Sequence, residues 1–201
     1  MNLGIVGGFF LVAAIIGLFE LFDRTSFALI ALSARSRPFP TWAGGAVAFV
    51  ASSAIAVSVG AALVAALGPG RVGLVRVVGG LVLVGYAAWL CFHPEEERAP
   101  DVGTARSAFT AALVTVLLLE LADSTMILEI VFVATWGWLV VLVAGSLALV
   151  TVAAVAVTLG SKLGSRIDPE LMRRIVVAVL LLVGIVTIVY GLFPQVFPRF
   201  A

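Results

Sequence analysis

Two short segments carry the residues able to do chemistry in this sequence: Glu20-Leu-Phe-Asp23-Arg24-Thr25 and Glu120-Leu-Ala-Asp123-Ser124-Thr125. In each, Glu and Asp are three positions apart, so on a helix both carboxylates point the same way. Two such helices facing each other offer up to about eight oxygens, the hard-ligand surroundings that Ca²⁺, Mg²⁺ or Mn²⁺ prefer. Softer metals want sulfur or imidazole, and Cys91 and His93 are the sole cysteine and histidine, which excludes a thiolate cluster, a Cys-x-x-Cys redox pair and a His-rich site. Thr25 and Thr125 either cap a helix or ligate. Arg24 either offsets part of the acidic charge or forms an ion pair with Glu20 or Asp23. Met126, three residues after Asp123, offers a thioether or a packing contact. The competing reading of the acids is an interhelical hydrogen-bonded clamp. Recurrence of the same pair in both segments favours a site.

These acids must be positioned inside hydrocarbon. The 201 residues are 63% hydrophobic and 11% charged, with mean hydropathy +1.24. A soluble domain is nearer half apolar and a quarter charged, so most of this surface faces lipid. A net charge of +1 argues against a nucleic-acid partner. Five of the eleven acids lie within apolar stretches: Glu20, Asp23, Glu120, Asp123 and Glu129. Each costs on the order of 2.5–3.5 kcal/mol at the bilayer centre, so they face inward, toward one another, a cation or water. Crowded carboxylates in low dielectric cannot all stay ionised, so protons and a divalent cation compete for them. Such competition, at a site open alternately to either side, suffices for antiport.

Six apolar stretches supply the elements: about 3–33, 42–67, 73–92, 107–135, 138–161 and 172–193. Each is long enough to span a bilayer. The first and fourth exceed one crossing and hold their acids mid-run, which leaves room for a break or tilt. Breakers separate most stretches: Arg35 to Pro40, Gly68 to Arg71, His93 to Arg106 and Lys162 to Glu170. Trp136-Gly137-Trp138 is a far shorter joint, with tryptophans suited to headgroup level. Residues 3–19 read as a retained span rather than a signal peptide, because no basic residue precedes them and charges interrupt the run. The odd-numbered loops hold eight Lys and Arg, the opposite side only Arg71, Arg76 and Arg199. The positive-inside rule then places both termini outside. Glu95-Glu96-Glu97 reads as a solvated loop face and His93 as a loop histidine. Glu129 has Leu29 as its counterpart and, on a straight helix, faces away from Glu120; a proton path or a partner contact suits it better than ligation.

A shift of 100 residues superposes Glu20, Leu21, Asp23 and Thr25 on Glu120, Leu121, Asp123 and Thr125. The same shift superposes Gly45, Ala48, Val50, Ala54, Ala56, Val57, Gly60 and Leu63 on Gly145, Ala148, Val150, Ala154, Ala156, Val157, Gly160 and Leu163. A three-span repeat starts its second copy on the other side of the membrane. The expected fold is therefore all-α: a polytopic membrane protein with six transmembrane helices as two inverted three-helix repeats, 1–93 and 107–201, joined by a cytoplasmic linker at 94–106. The pseudo-two-fold axis brings both acidic pairs to one midplane site.

The two segments resemble the duplicated E-x-G-D-[KR]-[ST] signature of the Gdt-one-type cation exchangers, the second cation/calcium antiporter family within the lysine-exporter superfamily. The resemblance extends over nearly the whole chain, including the Gly-rich second and fifth spans. It implies a secondary transporter of Mn²⁺ or Ca²⁺ against protons, an exporter in the plasma membrane, with no catalytic residues and no tightly bound cofactor. It assigns the metal to Glu20, Asp23, Glu120 and Asp123, with Thr25, Thr125, Arg24 and Ser124 supporting. Phe22 and Ala122 replace the signature glycine, and Ser124 replaces the second basic residue, leaving the site more acidic. Other outcomes are an exporter of cadmium or a cationic amino acid, or a metal-dependent membrane enzyme. The enzyme would want a cluster of Arg, Ser or His around a lipid phosphate, and Arg24 is the only basic residue near. A homo-oligomer is compatible with all of these.

Overall fold

The computed structural model describes residues 3–68, 71–92, 107–121, 124–163 and 169–193. It is all-α, with no strand among the described residues. The helices are α1 (Leu3–Leu21), α2 (Arg24–Ser33), α3 (Pro38–Leu67), α4 (Val72–Phe92), α5 (Ala108–Glu120), α6 (Ser124–Trp136), α7 (Trp138–Leu163) and α8 (Pro169–Leu192). The linker 94–106, with Glu95, Glu96 and Glu97, and His93 lie outside the described residues.

Two of the six apolar stretches are thus pairs of helices. The first divides after Leu21, where Asp23 adopts extended backbone (φ −90°, ψ 162°) and caps α2 by accepting from the Thr25 N–H. An acidic cap suits a helix N-terminus, whose first N–H groups lack partners. The fourth stretch divides between Glu120 and Ser124. At 13 residues each, α5 and α6 are about 20 Å long, too short to cross alone but sufficient in series.

The remaining boundaries follow local chemistry. Pro38 and Pro40, expected to break the chain, instead lie in the first turn of α3, where a missing N–H costs nothing. Gly137 takes φ +81° between Trp136 and Trp138, a conformation other L-residues resist, so one residue suffices to end α6 and start α7. Gly68 ends α3 at φ +75°. Arg76, counted above with the loops, lies within α4; its Nε donates to Thr135 Oγ1 at 3.2 Å and its Nη2 to the Ala134 carbonyl at 3.0 Å. A guanidinium suits the last turn of α6, where carbonyls are left over.

Among the described residues, three helices are long and apolar enough to cross a membrane: Gly4–Leu21, Pro38–Leu67 and Trp138–Lys162. Shorter apolar helices cover Gly73–Trp89, Ala108–Glu120 and Thr125–Trp136. Large apolar side chains such as Phe10, Leu118, Leu147 and Leu182 are exposed. On a chain this apolar, that surface is the one a membrane protein turns to lipid.

The core lies between the broken helices and the long ones. α3 packs on α5, α6 and α7, while α7 packs on α1, α2 and α3. α4 and α8 form a close pair at the side: Gly80 meets Gly184, and Gly73 meets Gly191, backbone against backbone. In the core, Gly60 on α3 lies against Ile130 and Val133 of α6, and Gly160 on α7 against Ile30 and Ser33 of α2. Gly45 lies against Leu29, and Gly145 against Glu129. Each of these contacts reappears 100 residues on with the halves exchanged. Missing Cβ atoms let the backbones close, the usual way membrane helices associate.

Candidate cation site

The breaks put the acids at helix ends. Glu20 lies in the last turn of α1, Asp23 caps α2, and Glu120 is the final residue of α5. Glu20 is 0% exposed and Glu120 2%, so neither faces lipid or bulk water. A carboxylate buried to that degree in an apolar bundle needs a donor, a proton or a cation beside it. The carbonyl-rich ends of α1 and α5 add partial negative charge to the same places, which favours a cation further.

One contact joins the two motifs. Thr125 Oγ1 donates to Glu20 Oε2 at 3.0 Å, with both residues fully buried and 105 positions apart in sequence. The start of α6 therefore touches the end of α1. Thr25 is buried too, and its hydroxyl donates to Asp23 Oδ2 at 3.3 Å, the oxygen that also caps the Thr25 N–H at 3.3 Å. Both motif threonines turn their hydroxyls to a carboxylate. Arg24 opens α2 directly after the Asp23 cap, half-buried. Asp123 lies outside the described residues, as does Ala122, and Ser124 begins α6. Among the described residues no group of three or more His, Cys, Asp or Glu side chains is gathered for a metal.

The first break is held by a residue that motif reasoning passes over. Ser26 Oγ donates to the Glu20 carbonyl at 2.6 Å, and the Asp23 N–H reaches the same oxygen at 3.1 Å. Together they tie the start of α2 to the end of α1, fixing the backbone on which Glu20 and Asp23 sit. The corresponding residue is Met126, which has no hydroxyl to donate. Position 26 matters only once a helix break is known to precede it.

Glu129 lies on α6, beyond the break that follows Glu120. The angle that pointed it away from Glu120 assumed one straight helix, and the break between α5 and α6 removes that relation. Glu129 is 1% exposed, and its Oε1 accepts from Ser53 Oγ on α3 at 2.8 Å.

A sequence profile of the family described as divalent cation/proton antiporter GDT1 matches residues 8–98 and 108–194. The chain belongs to that family. No curated protein and no solved structure gives a significant match. Membership in the GDT1 family implies a membrane transporter whose substrates are a divalent cation and protons, and it is consistent with a chain that is not an enzyme. The matched segments contain both acidic motifs and leave out most of the linker.

Proposed function

We propose that this GDT1-family chain exchanges Mn²⁺ or Ca²⁺ for protons at one site formed by Glu20, Asp23, Glu120 and Asp123. Thr25, Thr125, Arg24 and Ser124 support it. The cation is cargo, and no tightly held cofactor takes part. The observation that carries the reading is the Thr125–Glu20 hydrogen bond, which brings residues of both motifs into direct contact. Oxygen is the donor type at hand, and hard divalent ions are what it suits.

In this reading the broken first and fourth stretches each count as one span. With α3, α4, α7 and α8 they make six, arranged as two inverted repeats, 1–93 and 107–201, around the linker. Support comes from core contacts that recur on exchanging the halves: Gly60 with Ile130 against Gly160 with Ile30. Discontinuous helices near the midplane are a recurrent way for transporters to present charged ends to an ion. Protons occupy the carboxylates when no metal is bound, because their charge is otherwise uncompensated in low dielectric. An arriving cation displaces them, and reprotonation expels it on the other side. The positive-inside count puts both termini outside the plasma membrane, with the cation exported.

The test is flux in proteoliposomes for Mn²⁺, Ca²⁺, Cd²⁺ and lysine in turn, with proton movement followed by a trapped pH dye. Mn²⁺ or Ca²⁺ should drive proton release from the parent, and Asp23→Asn and Asp123→Asn should each abolish it. Parent-like transport by both variants removes the assigned site, and a response to Cd²⁺ or lysine alone reassigns the substrate.

A further inference from the structure

We propose that Glu129 is a proton-binding site in its own right, outside the cation cluster and on one side of it only. The inference rests on the exchange reading above.

Four observations carry it. Glu129 is buried in the core, and its bonding partner is the Ser53 hydroxyl. Room for the carboxylate comes from α7: a Cβ on Gly145 would sit 2.5 Å from Glu129 Oε1, and Ile16 of α1 closes the same spot at 3.3 Å. The other half of the protein fills the equivalent place with hydrocarbon. There Leu29 lies against Gly45, and the position matching Ser53 is Ala153, both buried in the apolar core. Packing thus does not require polar groups here, yet this half has two, and they are bonded to each other. Finally, Glu129 follows Thr125 by four residues on α6, so it lies on the same face one turn, about 6 Å, further along.

Among the described residues no positive charge is placed to neutralise it. α6 packs on α1, α3, α4 and α7. α3 has no charged residue, and α7 has only Lys162, in its last turn. Arg76 of α4 is engaged with Ala134 and Thr135, about 8 Å on along α6. The ionisable group of α1 is Glu20, an acid already bonded to Thr125. A buried carboxylate ion supported by one hydroxyl is costly, and a proton on Oε2 removes that cost while Ser53 goes on donating to Oε1. One O–H bond forms when the proton arrives and breaks when it leaves. The Thr125 hydroxyl, bonded to Glu20, is on the same face of α6 one turn before this acid. Glu129 thereby receives or supplies a proton exchanged at the cluster, on one access route alone.

The test compares Glu129→Gln, Glu129→Leu and Glu129→Asp in the full chain. Equilibrium Mn²⁺ binding is measured in detergent, and Mn²⁺-driven proton flux against pH in vesicles. Gln and Leu should bind Mn²⁺ within about twofold of the parent yet lose proton flux at least about tenfold. Asp should restore a third or more, although Gln is the better match in shape. Parent-like flux and pH profile in Glu129→Gln overturn the proposal. Loss of Mn²⁺ binding in both Gln and Leu variants also overturns it, by making Glu129 part of the cation site or of the fold. Failure of the site reading shows separately, as unimpaired Mn²⁺ binding in Glu20→Gln.

Discussion

Replacing Thr125 with valine deletes one hydroxyl and keeps the volume and β-branching of the side chain, so packing at the head of α6 is preserved. What disappears is the 3.0 Å bond to Glu20 Oε2, between two fully buried groups. Hydrogen bonds to charged groups contribute about 1.5–3 kcal/mol in soluble proteins. Side-chain bonds between membrane helices average about 0.6 kcal/mol and reach about 1.7. A carboxylate acceptor places this bond toward the upper end, about 1–2 kcal/mol, or roughly five- to thirtyfold in an equilibrium constant. If Glu20 is a ligand held in place by Thr125, that factor should appear in the apparent affinity for Mn²⁺ during vesicle transport. Thr125→Ser, which keeps the hydroxyl, should stay within about threefold of the parent. Equal affinity for Thr125→Val and parent, with both folded, would refute the claim that this contact couples the motifs.

Gly160→Val should drive a side chain into Ile30 and Ser33 and destabilise the fold by about 1–3 kcal/mol. Thermal unfolding in detergent reads this, and Gly85→Ala, with nothing within 4 Å, is the neutral control. Arg76→Leu should free the end of α6 from α4, lowering the melting temperature by roughly 2–4 °C for each kcal/mol lost while leaving Mn²⁺ affinity near the parent value. Ser26→Ala removes the tie across the first break and should weaken Mn²⁺ binding by up to roughly tenfold, since one bond to a carbonyl contributes about 0.5–1.5 kcal/mol.

Much of this was legible in the sequence because hydrocarbon punishes misplaced charge. Glu20 and Glu120 could be assigned to the interior before any coordinates, and both are buried. The duplicated glycines announced contacts that recur in both halves, and Gly60 and Gly160 make them. The boundary at Gly137 needed a single residue because glycine reaches a positive φ without strain. Less legible was anything depending on where a helix stops. Hydropathy runs straight through Leu21-Phe22 and Leu121, so the breaks are only allowed for, and the straight-helix angle between Glu120 and Glu129 does not apply across one of them. Ser26 and Ser53 look like ordinary small residues of membrane helices until the structure shows which oxygens they meet. Arg76 read as a loop charge because its partners on α6 are 58 and 59 positions away.

Counting Mn²⁺ bound per chain is the most direct measurement of whether two motifs make one site. Equilibrium dialysis or electron paramagnetic resonance of the purified protein should give one ion per chain, and Glu20→Gln and Glu120→Gln should each eliminate it. Two ions in the parent, with one surviving in either variant, would mean that each half binds its own and that the shared site does not exist.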